Sequence, residues 1–97
     1  MSKDEKAYVI FAEPRLVFFG YMTDDEAGSD SPTVSRIRQC IYWSSGTKGA
    51  LGLASLGPAP GSRVSPAVLS HRIRTRVEGV ALCSPEAVAA WEAEPWG

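Results

Sequence analysis

The chain has little of what most small-protein chemistry is built from. Its 97 residues include one histidine and two cysteines. Cys40 and Cys83 lie far apart and neither belongs to a C-x-x-C pair, so a structural zinc site lacks its ligand spacing and no disulfide framework is implied. Two reduced, buried thiols are expected, with a single disulfide as the alternative. No apolar run approaches the roughly 18 residues of a membrane span, and the start, MSKDEKAYVIFAE, is too acidic and its apolar run too short for a secretory leader. A soluble, cytoplasmic protein without a membrane partner follows as the expectation.

The usual catalytic patterns are missing as well. G-x-S-x-G does not occur, and in SSGTKG the order of Lys48, after Thr47 and before Gly49, departs from G-x-x-x-x-G-K-[ST], which leaves a surface turn rather than a nucleotide cradle. Asp24, Asp25 and Glu26 sit in one loop-like stretch, Glu92 and Glu94 at the end of a short helical one; neither group encloses an acid-base site. A thiol enzyme would need Cys40 or Cys83 beside His71, with an acid such as Glu78 to orient the imidazole. A sheet residue, a helix-boundary packer and a surface histidine explain these side chains more simply. The chain is therefore expected not to be an enzyme, a small hydrolase or thiol enzyme being the least favoured reading. No catalytic residue, metal or cofactor is assigned.

Charge of one sign is absent over long tracts. Residues 1–30 carry seven acids and three bases; residues 31–77 carry no acid and seven bases (Arg36, Arg38, Lys48, Arg63, Arg72, Arg74 and Arg76); residues 78–97 carry four acids and no base. The formal net charge of -1 hides this segregation.

What is present fits one small domain with an aromatic-rich core: three Trp, three Tyr and three Phe. Residues 1–6 read as a flexible terminus and 7–97 as a single compact domain, with loops at 23–33 and 44–66. Ala7 to Ala12 and Arg15 to Met22 are rich in strand formers and flank Glu13-Pro14, which predicts a hairpin. Tyr8 and Ile10 fall on one side of it and Val9 and Phe11 on the other, so both sides need cover from a helix, a barrel wall or a homodimer. Thr23 to Thr33, with four acids, promises almost nothing to a core. Val34 to Ser44 alternates as a strand, with Ile37, Ile41 and Trp43 opposite Arg36, Arg38, Cys40 and Tyr42.

Beyond it, a short helix within Lys48 to Leu56 would be anchored by Leu51, Leu53 and Leu56, and the glycine- and proline-rich segment after it by Val64, Val68 and Leu69. Ser70 to Glu78 reads as one strand carrying Arg72, Arg74 and Arg76 on a single side. Ser84 as N-cap and Pro85 at N1 open a helix over Pro85 to Glu94, with Val88 and Trp91 on its apolar face; Trp96 is expected to fold back as a closing anchor, the alternative being exposure to a partner. The fold class is α+β: a β-rich domain with a small curved sheet or partly open barrel and a C-terminal helix, an all-β small barrel being the alternative.

If the two arginine-bearing strands adjoin, Arg36, Arg38, Arg72, Arg74 and Arg76 make a positive platform extended by Lys48 and Arg63, with Tyr42 able to stack on a ligand. Such a surface suits an acidic protein first and, as the alternative, nucleic acid bound without sequence preference. The texts RIRQCIYWSSGTKGALGLASLGP, GSRVSP and CSPEAVAAWEAEPW resemble a family of small proteins encoded by bacteriophages and integrated prophages. The resemblance covers most of Arg15 to Trp96. It implies a viral accessory role in the cytoplasm of an infected or lysogenic bacterium and a host or phage protein as partner, and it carries no catalytic residues.

Overall fold

The computed structural model describes residues 5–13, 16–43, 45–47, 49 and 51–93. The two strand-former runs pair as the expected hairpin: β1 (Lys6–Ala12) and β2 (Leu16–Met22) are antiparallel, from Lys6 opposite Met22 to Ala12 opposite Leu16. A one-turn helix, α1 (Asp24–Ala27), leads to β3 (Thr33–Tyr42) on the far side of β2. A 3-10 turn at Ser45–Thr47 and the short α2 (Gly52–Ser55) precede β4 (Arg63–Val64) and β5 (Val68–Arg72), which run one after the other along the outer edge of β3. β6 (Val77–Leu82) lies beside β1 at the opposite edge, and α3 (Pro85–Ala93) ends the described chain. The strand order is β4-β3-β2-β1-β6, with β5 also on β3. The fold is α+β, its multi-strand sheet is not closed into a barrel, and the all-β alternative is not realised.

Both sides of the hairpin are covered, as its two apolar sides require. On one side, Val9, Val17, Phe19 and Cys40 pack with Leu53 of α2, Val64, and Ala87 and Trp91 of α3. On the other, Tyr8, Ile10, Met22, Val34 and Ile37 pack with Ile73, while Ala27 of α1 and Val77 close the margin. The chain makes that second cover by breaking the strand expected over Ser70 to Glu78. β5 stops at Arg72, residues 73–76 bend, and β6 starts at Val77. The reason is distance: the Ile73 amide donates to Pro32 at the start of β3, whereas the Arg76 carbonyl accepts from Glu13 just beyond β1. Three peptide steps of roughly 3.3–3.6 Å each join these two points, so the sheet curls at this end and draws Ile73 inside.

β3 also departs from simple alternation. Phe19 faces Arg38 but Tyr21 faces Ser35, so β3 holds one residue more than β2 over this interval. Arg36, at φ 51°, is in the bulge. Gly20 stands across from it, and a Cβ there would lie 2.2 Å from Cγ1 of Val34, a buried, β-branched side chain with no room to turn. The bulge lets Val34 and Ile37, three residues apart, enter the same cluster, which a regular strand would forbid.

At α3 the local reading holds. Ser84 Oγ accepts from the Ala87 amide at 3.1 Å and donates to the Ser55 carbonyl at 2.8 Å, so the cap also ties α3 to α2. Gly57, at φ 79°, lies against α3, where a Cβ would be 2.6 Å from that of Ala90. The Trp96 anchor lies outside the described residues. Three other expectations are corrected. Leu51 is exposed, because the single turn of α2 presents Leu53 and Ala54 to the core. Val64 is buried, but Val68 and Leu69 do not anchor the segment, since β5 is an edge strand. The 23–33 stretch does feed the core, through Pro32 and Ala27.

Candidate interaction surface

The arginines occupy three different places. Arg36 and Arg38 lie on the α3-covered side of β3, around a cavity of about 190 Å³ bounded by Phe19, Tyr21, Ala67 and Glu92. A ladder of rings fills this side. Trp91 stacks on Phe19 at 4.9 Å and 9°, Phe19 meets Tyr21 edge-on at 5.4 Å, and the Arg36 guanidinium sits 3.9 Å from the Tyr21 ring centroid. Arg36 also pairs with Glu5 at 3.1 Å, and the Tyr21 hydroxyl donates to the Glu92 carboxylate.

Arg38 is buried. Its Nε donates to the Ser65 carbonyl at 2.8 Å and its guanidinium also donates to the Trp91 carbonyl, joining β3 to the residues between β4 and β5 and to the last turn of α3. Ser65 reinforces the join: its amide donates to the Gln39 carbonyl at 2.8 Å, and its hydroxyl accepts from the Gln39 amide at 2.8 Å. These bonds hold β4 and β5 on one edge of β3 despite the interruption at Pro66.

Arg63, Arg72, Arg74 and Arg76 face outward. Tyr42 is paired opposite Arg63, and both are exposed. Arg72 stands opposite Thr33 and donates Nε to its hydroxyl at 3.2 Å. Arg74 and Arg76 belong to the bend and line an open polar cleft of about 620 Å³ with Asp30, Ser31 and Thr75. Among the described residues no carboxylate pairs with Arg63, Arg72, Arg74 or Arg76. Lys48 lies outside the described residues. Thus β3 and β5 do adjoin, but only Arg72 of the later three arginines is carried on the paired strand.

The feature that charge reading missed is apolar. All five residues of β5 are exposed, with Leu69 at 87% and Val68 at 55%. β5 pairs only with β3, so its outer backbone is free among the described residues. A valine and a leucine, separated by Ser70 from a His-Arg pair, are its sequence trace.

Other chemistry is muted. Burial pushes the Cys83 thiol up to about 12, so it offers no thiolate near neutrality, and Cys40 is packed in the core. Thr47 is fully buried, with its Oγ1 accepting from the Ala59 amide at 2.9 Å and donating to the Gly57 carbonyl at 3.3 Å. That hydroxyl ties the 45–62 segment together. His71 borders a cleft of about 200 Å³ with Phe18, Ile37 and Val68 and is exposed. Among the described residues no three His, Cys, Asp or Glu side chains gather as metal ligands, and no helix is long and apolar enough to cross a membrane.

Two tyrosines titrate with the fold. Burial, followed by the hydrogen bond and charge of Glu92, raises the Tyr21 phenol well above its ordinary 10.0, against a smaller opposing pull from Arg36. Tyr8 is raised by its bond to Asp24 at 2.8 Å, and the same bond, with Lys6, lowers Asp24. A phenol raised on folding stabilises the native state fully below the unfolded value near 10, and that contribution is lost as pH rises through the folded value. The urea midpoint is therefore expected to fall above pH 10, and to fall less in Tyr21→Phe; equal alkaline slopes for the two proteins would refute the role of the Tyr21–Glu92 bond.

No family model, curated protein or solved structure matches the chain.

Proposed function

We propose that the chain is a non-catalytic protein-interaction or assembly module of a bacteriophage or prophage, working in the cytoplasm of the infected or lysogenic cell. Its contact surface is the β4–β5 edge with the arginines around it. The observation that carries this reading is β5 itself. An edge strand with free backbone groups and two exposed apolar side chains is a template for a further strand, and proteins ordinarily blunt such edges. Arg63, Arg72, Arg74 and Arg76 set the sign of what docks there: an acidic protein surface is attracted and a basic one repelled.

A second reading is supported by Tyr42 opposite Arg63 and by the cleft that Arg74 and Arg76 border, which together offer a ring to a base and cations to phosphates. Affinity capture from a bacterial lysate, with and without nuclease, separates the two. The module reading expects a nuclease-resistant protein retained by the natural chain and lost from Leu69→Lys. Retention of every captured protein by Leu69→Lys would remove β5 as the surface. Salt-sensitive binding of generic oligonucleotides, lost when Arg72, Arg74 and Arg76 become alanine, would put nucleic acid in its place.

A further inference from the structure

Among the described residues the sheet has two free edges, and they differ in charge. The Ile73 amide bonds to Pro32, so the alternation of the β3–β5 register turns the backbone groups of Val68, Ser70 and Arg72 away from β3. At the other edge the Cys83 amide bonds to Ala7 at 2.9 Å, and the β1–β6 register turns those of Val80 and Leu82 away from β1. Glu78, the extra residue where the register shifts between Gly79 and Val77, is exposed at the head of β6. Each edge joins open backbone groups to exposed apolar side chains: Val68 and Leu69 on one, Val80 and Leu82 on the other. The β5 edge ends in Arg72 and leads into Arg74 and Arg76, whereas β6 carries Glu78 as its second residue and holds no cation.

We infer that the β5 edge of one copy takes the β6 edge of a second copy as an added antiparallel strand. This rests on the reading of β5 as the contact edge. The register that sets Val68 against Leu82 and Ser70 against Val80 brings Arg72 to Glu78, so apolar meets apolar and cation meets anion. Like edges match less well. β5 on β5, centred at Ser70, sets Arg72 against Val68; β6 on β6, centred at Val80, sets Glu78 against Leu82. A parallel pairing of β5 with β6 carries Arg72 toward Leu82. The favoured contact uses a different edge in each copy, so it is heterologous and propagates into a ring or an open fibre rather than stopping at a two-fold dimer.

Sedimentation of the whole chain over a concentration series tests this. Ser70→Pro removes an outward amide from β5 and Val80→Pro one from β6, both at edge positions that accept proline; circular dichroism establishes that each variant keeps its fold. The natural chain is expected to gain mass with concentration and each variant to remain monomeric, while an equal mixture of the two forms a one-to-one dimer through the edge each retains. Where a proline variant fails to fold, charge reversal decides. Arg72→Glu and Glu78→Arg should each raise the assembly midpoint roughly tenfold, and the chain carrying both should regain it. A natural chain monomeric at every concentration overturns the inference, and so does a dimer that persists in Val80→Pro but vanishes in Ser70→Pro. Neither result bears on capture of another protein through β5, which the Leu69→Lys comparison reads separately.

Discussion

Trp91→Ala is expected to lower stability by about 3–5 kcal/mol, the range for deleting a large buried aromatic. Trp91 is fully buried, stacks on Phe19, and donates its indole N–H to the Leu53 carbonyl at 2.9 Å. One side chain therefore joins α3 to the sheet and to α2 at once. Truncation opens a cavity beneath the helix and leaves the Leu53 carbonyl without that donor in an apolar setting. Trp91→Phe separates the two effects. It keeps the stacked ring but not the donor, and should fall between the natural protein and the alanine variant. Urea unfolding followed by far-ultraviolet circular dichroism measures both. A loss below about 1 kcal/mol for Trp91→Ala would mean that α3 is not the element that closes this side of the sheet.

The parts of the fold that were legible in the sequence are those decided within a few residues. The hairpin follows from two strand-former runs around Glu13-Pro14, and α3 from Ser84, Pro85 and the alanines behind them. The need to cover two sides was equally plain from Tyr8 and Ile10 against Val9 and Phe11. What stayed hidden depends on contacts distant in sequence. The bulge at Arg36 exists because Gly20 admits Val34 from the next strand, and β5 ends at Arg72 because the chain must next reach Glu13. Neither condition leaves a mark on the periodicity around it. The arginines misled for a related reason: a sequence shows charge but not whether carbonyls converge on it. Arg36 entered a ring ladder and Arg38 a carbonyl cage, while β5, read as an anchoring segment, came to the surface.

Arg38 tests that distinction most directly. Arg38→Met keeps much of the side-chain bulk but removes every donor, so the Ser65 and Trp91 carbonyls lose the guanidinium that joins them across the α3-covered side. A stability loss of about 2–4 kcal/mol is expected, because a buried group stripped of a charged partner retains its desolvation cost. Arg38→Lys should recover only part of it, since an ammonium cannot reproduce the planar fork that reaches two carbonyls on different elements. Arg72→Ala is the control. Arg72 is exposed, its bond to Thr33 is a surface bond, and stability should change by less than about 0.5 kcal/mol. Urea midpoints measure the stabilities, and binding of whatever the β5 edge captures supplies an independent readout. If Arg38 were a contact residue of the basic surface, Arg38→Met would spare stability and weaken capture. The buried geometry demands the opposite order: Arg38 governs whether β4 and β5 stay on the sheet, and Arg72 governs what the edge they form can hold.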